Sequence, residues 1–294
     1  MKVAIYGQYY QLSTEPIIKD IFQFFTSEGV DLYIEERFLA ILHEKGLVHT
    51  PYKTFASQQD LSADFAFLVS IGGDGTMLRA ANLVGDLGIP LVGVNAGRLG
   101  FLASVPRGHI ADFMQQVVDK NYTLSYRSLL QITNETPLPG FDEMSFAINE
   151  VTVSRKATTS MITIETWLDD EYLTTYWADG LIVSTPTGST GYNLSCGGPI
   201  LTPGSKNWVI TPIAPHNLNA RPLVIPDTTK VRLKVSGREE EHLVSLDSRV
   251  ASVTNETWIT LAKAPFEIAM AEIPGETFLK TLRNKLLWGA DQRN

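Results

Sequence analysis

"FLVSIGGDGTMLRA", Phe67 to Ala80, reads as a buried strand running into a glycine-rich turn and then a helix. Its apolar half does not alternate, the pattern of a strand in a sheet covered on both faces. The turn "GGDGT", Gly72 to Thr76, supplies glycines that allow positive φ and close approach of a ligand to the backbone. The helix start behind it offers unpaired N–H groups and the positive end of a helix dipole, a setting for phosphate. Yet the turn carries a carboxylate, Asp74, and no lysine. The plainer reading makes Asp74 the helix N-cap; three glycines around one aspartate favour a ligand site. G-x-x-x-x-G-K-[ST] is absent, so this is not a Walker-type loop. The first strand ends in "IYGQYY", not G-x-G-x-x-G, which does not support the usual redox dinucleotide fold.

Around this stretch the first third of the chain alternates strands and helices. Lys2–Tyr6 is an apolar strand. A helix follows from a cap at Ser13 or Thr14, with Pro16 in its first turn and Gly29 as its stop. Strands at Val30–Ile34, Phe65–Ser70 and Pro90–Val94 alternate with helices near Glu35–Glu44, near Thr76–Val84 and within "RGHIADFMQQVVDK". The pattern predicts a parallel doubly wound sheet. The texture changes near Asn121. From there to about Met270, short alternating runs rich in Thr, Val, Ile and Tyr are broken by turn signals such as "TPLPG" and "SGREEE", which predicts an antiparallel β-rich domain. An amphipathic helix near Glu276–Leu287 is expected to pack back on the body. The expected division is an α/β domain over 1–122, a β-rich dinucleotide-binding domain over 123–272, and a C-terminal helix over 273–294 returning to the first.

The totals narrow the function classes. With 294 residues, 44% hydrophobic and 19% charged, the chain is expected to be globular and long enough for two domains. A formal net charge of -8 argues against a general nucleic-acid surface, which needs Lys and Arg to replace phosphate counterions. It leaves room for one phosphorylated ligand in a local pocket. The single cysteine, Cys196, excludes an intrachain disulfide and fits a reducing compartment. No apolar run approaches the roughly 18 residues of a spanning helix. "MKVAIYGQYY" is too short and mixed for a signal peptide. The expectation is a soluble cytoplasmic protein with no membrane or nucleic-acid partner.

Two further constellations carry chemistry. "STPTGSTGYNLSCGGP", Ser184 to Pro199, crowds six Ser or Thr and four glycines into sixteen positions directly after the apolar run "GLIVS". Small residues let a flat ligand or sugar approach, and hydroxyls supply donors and acceptors. The plainer reading is a Ser/Thr-rich loop capping a short helix. The pairs Asn149–Glu150 and Asp179–Gly180 flank predicted strands, where an amide beside an acid suits a base edge or a ribose. Taken singly, each pair reads equally as ordinary turn residues. The five histidines have no metal-ligand spacing; His216, in "APHNLNARP", lies in a loop after a strand.

"GGDGT", "NE" before a strand, "DGLIVSTPTGSTGYNLSCGGP" and "PHNLNARPLVIP", in this order and spacing, resemble the NAD kinase family, from about Lys2 to the last helix. "GGDGT" alone is less specific, being similar to loops of lipid kinases and phosphofructokinases. The resemblance implies an α/β and a β-rich domain with the active site between them. It also implies transfer of the γ-phosphate of ATP to the 2′-hydroxyl of the adenosine ribose of NAD, a divalent cation such as Mg²⁺, and a homo-oligomer, dimer or tetramer. It assigns Asp74 as the base, Gly75 beside the dinucleotide, Arg79 toward phosphate, and Asn149 and Glu150 to the adenosine part. Asp179 is assigned to the nicotinamide end. Thr190, Gly191, Tyr192, Asn193, Leu194 and Ser195 line the adenine and ribose pocket, and Ala214 joins the substrate-binding set. No residue is assigned as a metal ligand. Trp177 stands where many bacterial members have Arg or Lys.

An acid in a phosphate-type loop has a reason if the acceptor is a hydroxyl: a carboxylate within reach orients it and takes its proton. Asp74 as a metal ligand is the alternative. A lipid kinase would need an apolar slot, against which the polar run Ser184–Ser195 counts, and a catalytically silent nucleotide sensor would not need Asp74. With Trp177 and Asp179 two apart in a predicted strand, both side chains are expected on one face. A carboxylate and an indole there would favour the positive ring of oxidised NAD over NADH.

Overall fold

The computed structural model describes residues 1–10, 12–97, 100–103, 105, 110–134, 137–141, 145–156, 160–272 and 275–287. The chain divides into two compact units, Met1–Tyr126 with Ile268–Asn294, and Arg127–Glu267.

The first unit begins β1 (Lys2–Gly7), α1 (Glu15–Ser27), β2 (Asp31–Glu35), α2 (Glu36–Glu44), β3 (Lys53–Phe55), β4 (Phe65–Gly72), α3 (Asp74–Val84), β5 (Leu91–Asn95), α4 (Ile110–Val118) and β6 (Thr123–Arg127). The second holds β7 (Leu130–Ile132), β8 (Phe146–Ala147), β9 (Glu150–Arg155), β10 (Ile162–Leu168), β11 (Glu171–Ala178), β12 (Gly180–Ser184), α5 (Tyr192–Ser195), β13 (Asn207–Ile213), β14 (Leu223–Pro226), β15 (Val231–Ser236), β16 (Glu241–Leu246), β17 (Arg249–Thr254) and β18 (Trp258–Lys263). The chain then returns to the first unit with β19 (Ile268–Glu272) and α6 (Phe278–Leu286).

In the first unit the sheet order is β3-β2-β1-β4-β5-β19-β6, with β1 parallel to β2 and β4, and β5 parallel to β4 and β19. Val3, Ile5, Val69 and Val92 on the strands and Ile18, Ile21 and Phe25 on α1 are almost wholly buried, because both sheet faces are covered and the helices turn apolar stripes inward. β6 and β19 belong to this sheet, although their sequence texture groups them with the β-rich run. Ala269, Met270 and Ala271 are buried there, as a central strand requires. α6 packs within the same unit: Leu282 is buried, and the Phe278 ring lies 6.1 Å from that of Phe101. Its N-cap Thr277 accepts a hydrogen bond from Lys280 N. The sequence reading missed β3, whose three residues are too few to show a period.

The second unit is two six-stranded sheets, β11-β10-β15-β18-β7-β8 and β14-β13-β12-β9-β16-β17. Period-two alternation sends Ile164, Leu233 and Ile259 from one sheet and Val153, Leu181, Trp208 and Val244 from the other into a shared core. His242, on β16, is fully buried, and its Nδ1 sits 3.0 Å from Asn255 Oδ1. Burial pushes its imidazolium pKa below the ordinary 6.5, with the Asn255 bond opposing. Between the folded value and 6.5 the unfolded chain binds the extra proton, so stability falls as pH drops through that window. Denaturant melts from pH 7 to 5 are expected to show this slope, and His242→Gln to flatten it.

Candidate active site

The order of the first sheet reverses at β1: β2 lies on one side and β4, reached later in the chain, on the other. Ligands of doubly wound sheets bind outside the strand carboxyl ends at such a reversal. The carboxyl end of β4 delivers "GGDGT" there. A cavity of ≈ 130 Å³ opens at this place, lined by Tyr9 after β1, Thr14 before α1, Gly72, Gly73 and Thr76 at the β4–α3 turn, and Gly97 after β5.

The glycines act through size, not handedness. Gly72, Gly73 and Gly75 all keep ordinary φ, contrary to the expectation of positive φ. A Cβ built on Gly73 or Gly75 would meet nothing within 4 Å, so both leave open backbone beside the turn. Asp74 is not the N-cap; Gly73 is, and Asp74 opens the helix. Its side chain leaves the helix and is seated on three successive peptide N–H groups after β5. Phe101 N donates to Oδ2 at 2.8 Å, and Leu102 N and Ala103 N donate to Oδ1 at 3.0 and 3.2 Å. A carboxylate offers about four lone-pair sites, so one position on Oδ2 stays open to a hydroxyl. Lys285 of α6 stands 3.9 Å from the same oxygen and 4.4 Å from the centre of the Phe101 ring. Any Cβ on Gly100 would collide with the Asp74 carboxylate. Arg79, one turn along α3 and exposed, reaches back to β1: with its amide oxygen turned to the guanidinium, Gln8 accepts from Nε at 3.0 Å and from an Nη at 2.6 Å.

In the second unit the fold brings Asn149 and Glu150 beside the Ser/Thr/Gly run. Asn149 O accepts from Thr185 N at 2.9 Å, and a side chain on Gly188 would strike the Asn149 carbonyl. A Cβ on Gly191 would lie 3.3 Å from Glu150 Oε2. That oxygen is buried with no hydrogen-bond partner among the described residues. Burial, and then the neighbouring Asp247 charge, push the Glu150 carboxyl up to about 8, so it is protonated at neutral pH and can donate as well as accept. Tyr192 and Cys196 lie within electrostatic reach of Glu150, and Tyr192 also of Asp179. Tyr192 and Ser195 are exposed and Leu194 half-buried.

Most hydroxyls of the run are spent on backbone carbonyls, three within the run and one at Ile148. Ser184 donates to Thr185 O (3.1 Å), Ser189 to Pro186 O (2.7 Å), Thr190 to Thr187 O (3.3 Å), and Thr185 to Ile148 O. Asn193 is fully buried: Nδ2 donates to Ser189 O (2.9 Å) and Pro199 O (3.0 Å), and Oδ1 accepts from Thr211 (2.6 Å). It is a staple of the loop, with its hydrogen-bonding capacity used internally. Short α5 is where the plainer reading put a helix.

Asp179 joins the two sheets, between the end of β11 and the start of β12. Trp177 and Asp179 therefore do not share a strand face as expected. Asp179 pairs with Arg155 Nη2 at 2.8 Å, so a cation from β9 already balances its charge, while the Trp177 side chain is exposed on β11. Both features remove the basis for the expected bias toward oxidised NAD. Ala214 follows β13 with φ 44°, next to Ile213, whose carbonyl accepts from Asp179 N. Residues of both sequence pairs thus gather in one unit, and those of "GGDGT" in the other.

Family models of the ATP-NAD kinase N-terminal domain and the ATP-NAD kinase C-terminal domain match residues 13–122 and 148–273. The chain belongs to the ATP-NAD kinase family. It is 65% identical over 294 residues to an NAD kinase of Flavobacterium johnsoniae and 51% over 296 to one of Christiangramia forsetii, each alignment covering 100% of both chains. In fold it resembles a yeast NADH kinase solved with NADH (TM-score 0.86, 21% identity, 99% of this chain and 88% of that one). It also resembles an Archaeoglobus fulgidus NAD kinase solved with ATP (TM-score 0.73, 24% identity, 97% of each).

Two outcomes follow for this ATP-NAD kinase chain. Gly100→Ala keeps the carboxylate but forces it off its seat; kcat is expected to fall by up to about 10²-fold, the scale of a 1 Å misplacement, with the fold intact by circular dichroism. For Glu150, the native carboxyl holds a proton from pH 4.5 to about 8 that the unfolded chain has released, so stability falls as pH rises through that range. Melts of Glu150→Gln at pH 5 and 8 are expected to lack that component.

Proposed function

We infer that the chain phosphorylates the 2′-hydroxyl of the adenosine ribose of NAD with ATP, giving NADP and ADP. The observation that carries this reading is that both halves of the family match, each over one of the motif sets. The 2′-oxygen attacks the γ-phosphorus, the bond from that phosphorus to the β,γ-bridging oxygen breaks, and ADP leaves with the electron pair. Asp74 is the base: the open lone pair on Oδ2 accepts the hydroxyl hydrogen bond and then the proton, while the three N–H groups hold its carboxylate in one orientation. Gly73 and Gly75 let phosphate approach the backbone, and Arg79, released from Gln8, offers a guanidinium to it. Asn149, protonated Glu150, Gly191 and Tyr192 take the adenosine part, with Thr190, Leu194 and Ser195 shaping its walls. Asp179 and Ala214 take the nicotinamide end.

Among the described residues no group of three or more His, Cys, Asp or Glu is arranged to hold a metal ion. A Mg²⁺ carried on the triphosphate would complete its shell largely with waters, as this ion commonly does, which leaves the open position of Asp74 to the acceptor hydroxyl. Such a cation, when bound, neutralises charge on the transferring phosphoryl group. Among the described residues no helix is long and apolar enough to cross a membrane. The single cysteine supports a cytoplasmic setting. A homo-oligomer is supported by exposed aliphatic side chains on both edge strands of one sheet, Leu223 and Val224 on β14 and Val250 on β17.

The purified protein incubated with ATP, Mg²⁺ and NAD is expected to yield NADP, and no NADP would overturn the reading. Asp74→Asn is expected to lower kcat about 10²–10⁴-fold. It also turns an amide NH₂ against a peptide N–H of the seat, a loss of about 1–3 kcal/mol in stability. A variant keeping more than about half of wild-type turnover, far above the range for a lost base, would remove Asp74 from that role.

A further inference from the structure

The turn between β16 and β17 lies far in sequence from Asn149–Glu150, yet it holds their backbone. Asp247, at φ 53°, directs its carboxylate at the peptide N–H groups of three successive residues. Ile148 N donates to Oδ2 at 3.0 Å, and Asn149 N and Glu150 N donate to Oδ1 at 2.7 and 3.3 Å. Asp247 N donates in return to Glu150 O at 3.0 Å. From β17, Arg249 donates to the Phe146 carbonyl and stands 5.8 Å over the Phe146 ring. The segment Phe146–Glu150 is therefore gripped at both ends by one hairpin, just where β9 begins.

This grip determines where two side chains point. Asn149 directly precedes β9 and Glu150 opens it, so a small rotation of the peptides at 148–150 redirects both side chains. The carbonyls that the same peptides present, Ile148 O and Asn149 O, are the acceptors on which Thr185 closes the Ser/Thr/Gly run. Resting on the function proposed above, we propose that Asp247 is a positioning residue for NAD: it fixes the Asn149–Glu150 peptides so that this amide and carboxyl meet the dinucleotide. Asp247 does not itself touch the ligand. Its second effect is electrostatic. Glu150 is faced by Asp247 from the turn and by Tyr192 and Cys196 from α5 and its exit, while Arg249 faces Asp247. Of these, only the Asp247 charge raises the Glu150 pKa appreciably beside burial itself.

The test uses the full chain in steady-state assays and in NAD titrations without ATP. Asp247→Ala is expected to raise KM and Kd for NAD about tenfold or more, the loss of charge-assisted hydrogen bonds. The KM for ATP should stay unchanged. Asp247→Asn keeps a carbonyl oxygen for the Asn149 and Glu150 N–H groups and is expected to restore most of the NAD affinity. By removing the Asp247 charge it should also shift the pH dependence of NAD binding toward lower pH. Were Asp247→Ala not to fold, the Asp247→Asn pH profile decides alone. An unchanged profile in Asp247→Asn, unchanged NAD affinity in Asp247→Ala, or equal loss for NAD and ATP would overturn the proposal. A wild type that makes no NADP would instead fail the function reading, whatever the variants do.

Discussion

A carboxylate seated on three successive peptide N–H groups is the contact on which the arrangement of the first unit turns. Backbone donors in a loop need acceptors when water is shut out, and one carboxylate can serve three at once. Asp74 does so for Phe101, Leu102 and Ala103. Charge-assisted bonds of this kind are each worth about 1.5–3 kcal/mol, well above a neutral pair. The consequence runs both ways: the loop after β5 takes its course from the aspartate, and the aspartate is held in a single orientation by the loop. α6 adds to the same cluster through Phe278 and Lys285 against Phe101.

The second unit repeats the device with different parts. Asp247 seats Ile148, Asn149 and Glu150, and Thr185 takes up the carbonyl side of the same peptides. Around each seat, glycine appears where a side chain would collide, Gly100 against Asp74 and Gly188 against the Asn149 carbonyl, and Gly198 does the same beside the Asn193 staple. These glycines are permissive by volume. At Gly73 and Gly75 the absent side chain instead leaves the backbone bare, and at Gly72 it makes room for Thr76.

Glu150 shows how burial changes the chemistry that a residue type offers. As an exposed acid it would be an anion at neutral pH. Enclosed beside Gly191 and next to the Asp247 charge, it keeps its proton up to about 8. A neutral carboxyl can donate to a ligand oxygen or nitrogen and does not repel a pyrophosphate. Asp179 is treated in the opposite way: Arg155 pairs with it, and the pair is settled before any ligand arrives.

The sequence by itself determined the strand–turn–helix around Asp74, the alternation of the first third, the β-rich character of the middle and the order of motifs that marks an ATP-NAD kinase. Those features are local: period, glycine placement and spacing can be read within a window of a dozen residues. What only the tertiary structure decided depends on partners distant along the chain. Thr123–Arg127 and Ile268–Glu272 look like parts of the β-rich run, but the first sheet takes them as strands. The hydroxyls of Ser184–Thr190 look available, yet most are used on neighbouring carbonyls. Trp177 and Asp179 look like one strand, but the chain changes sheets at Asp179. Asp247, in "SLDSR", resembles any hairpin aspartate until the fold brings the Ile148–Glu150 peptides to it. A hydrogen bond has no sequence signature when its donor and acceptor are about a hundred residues apart, because only chain packing brings them within 3 Å.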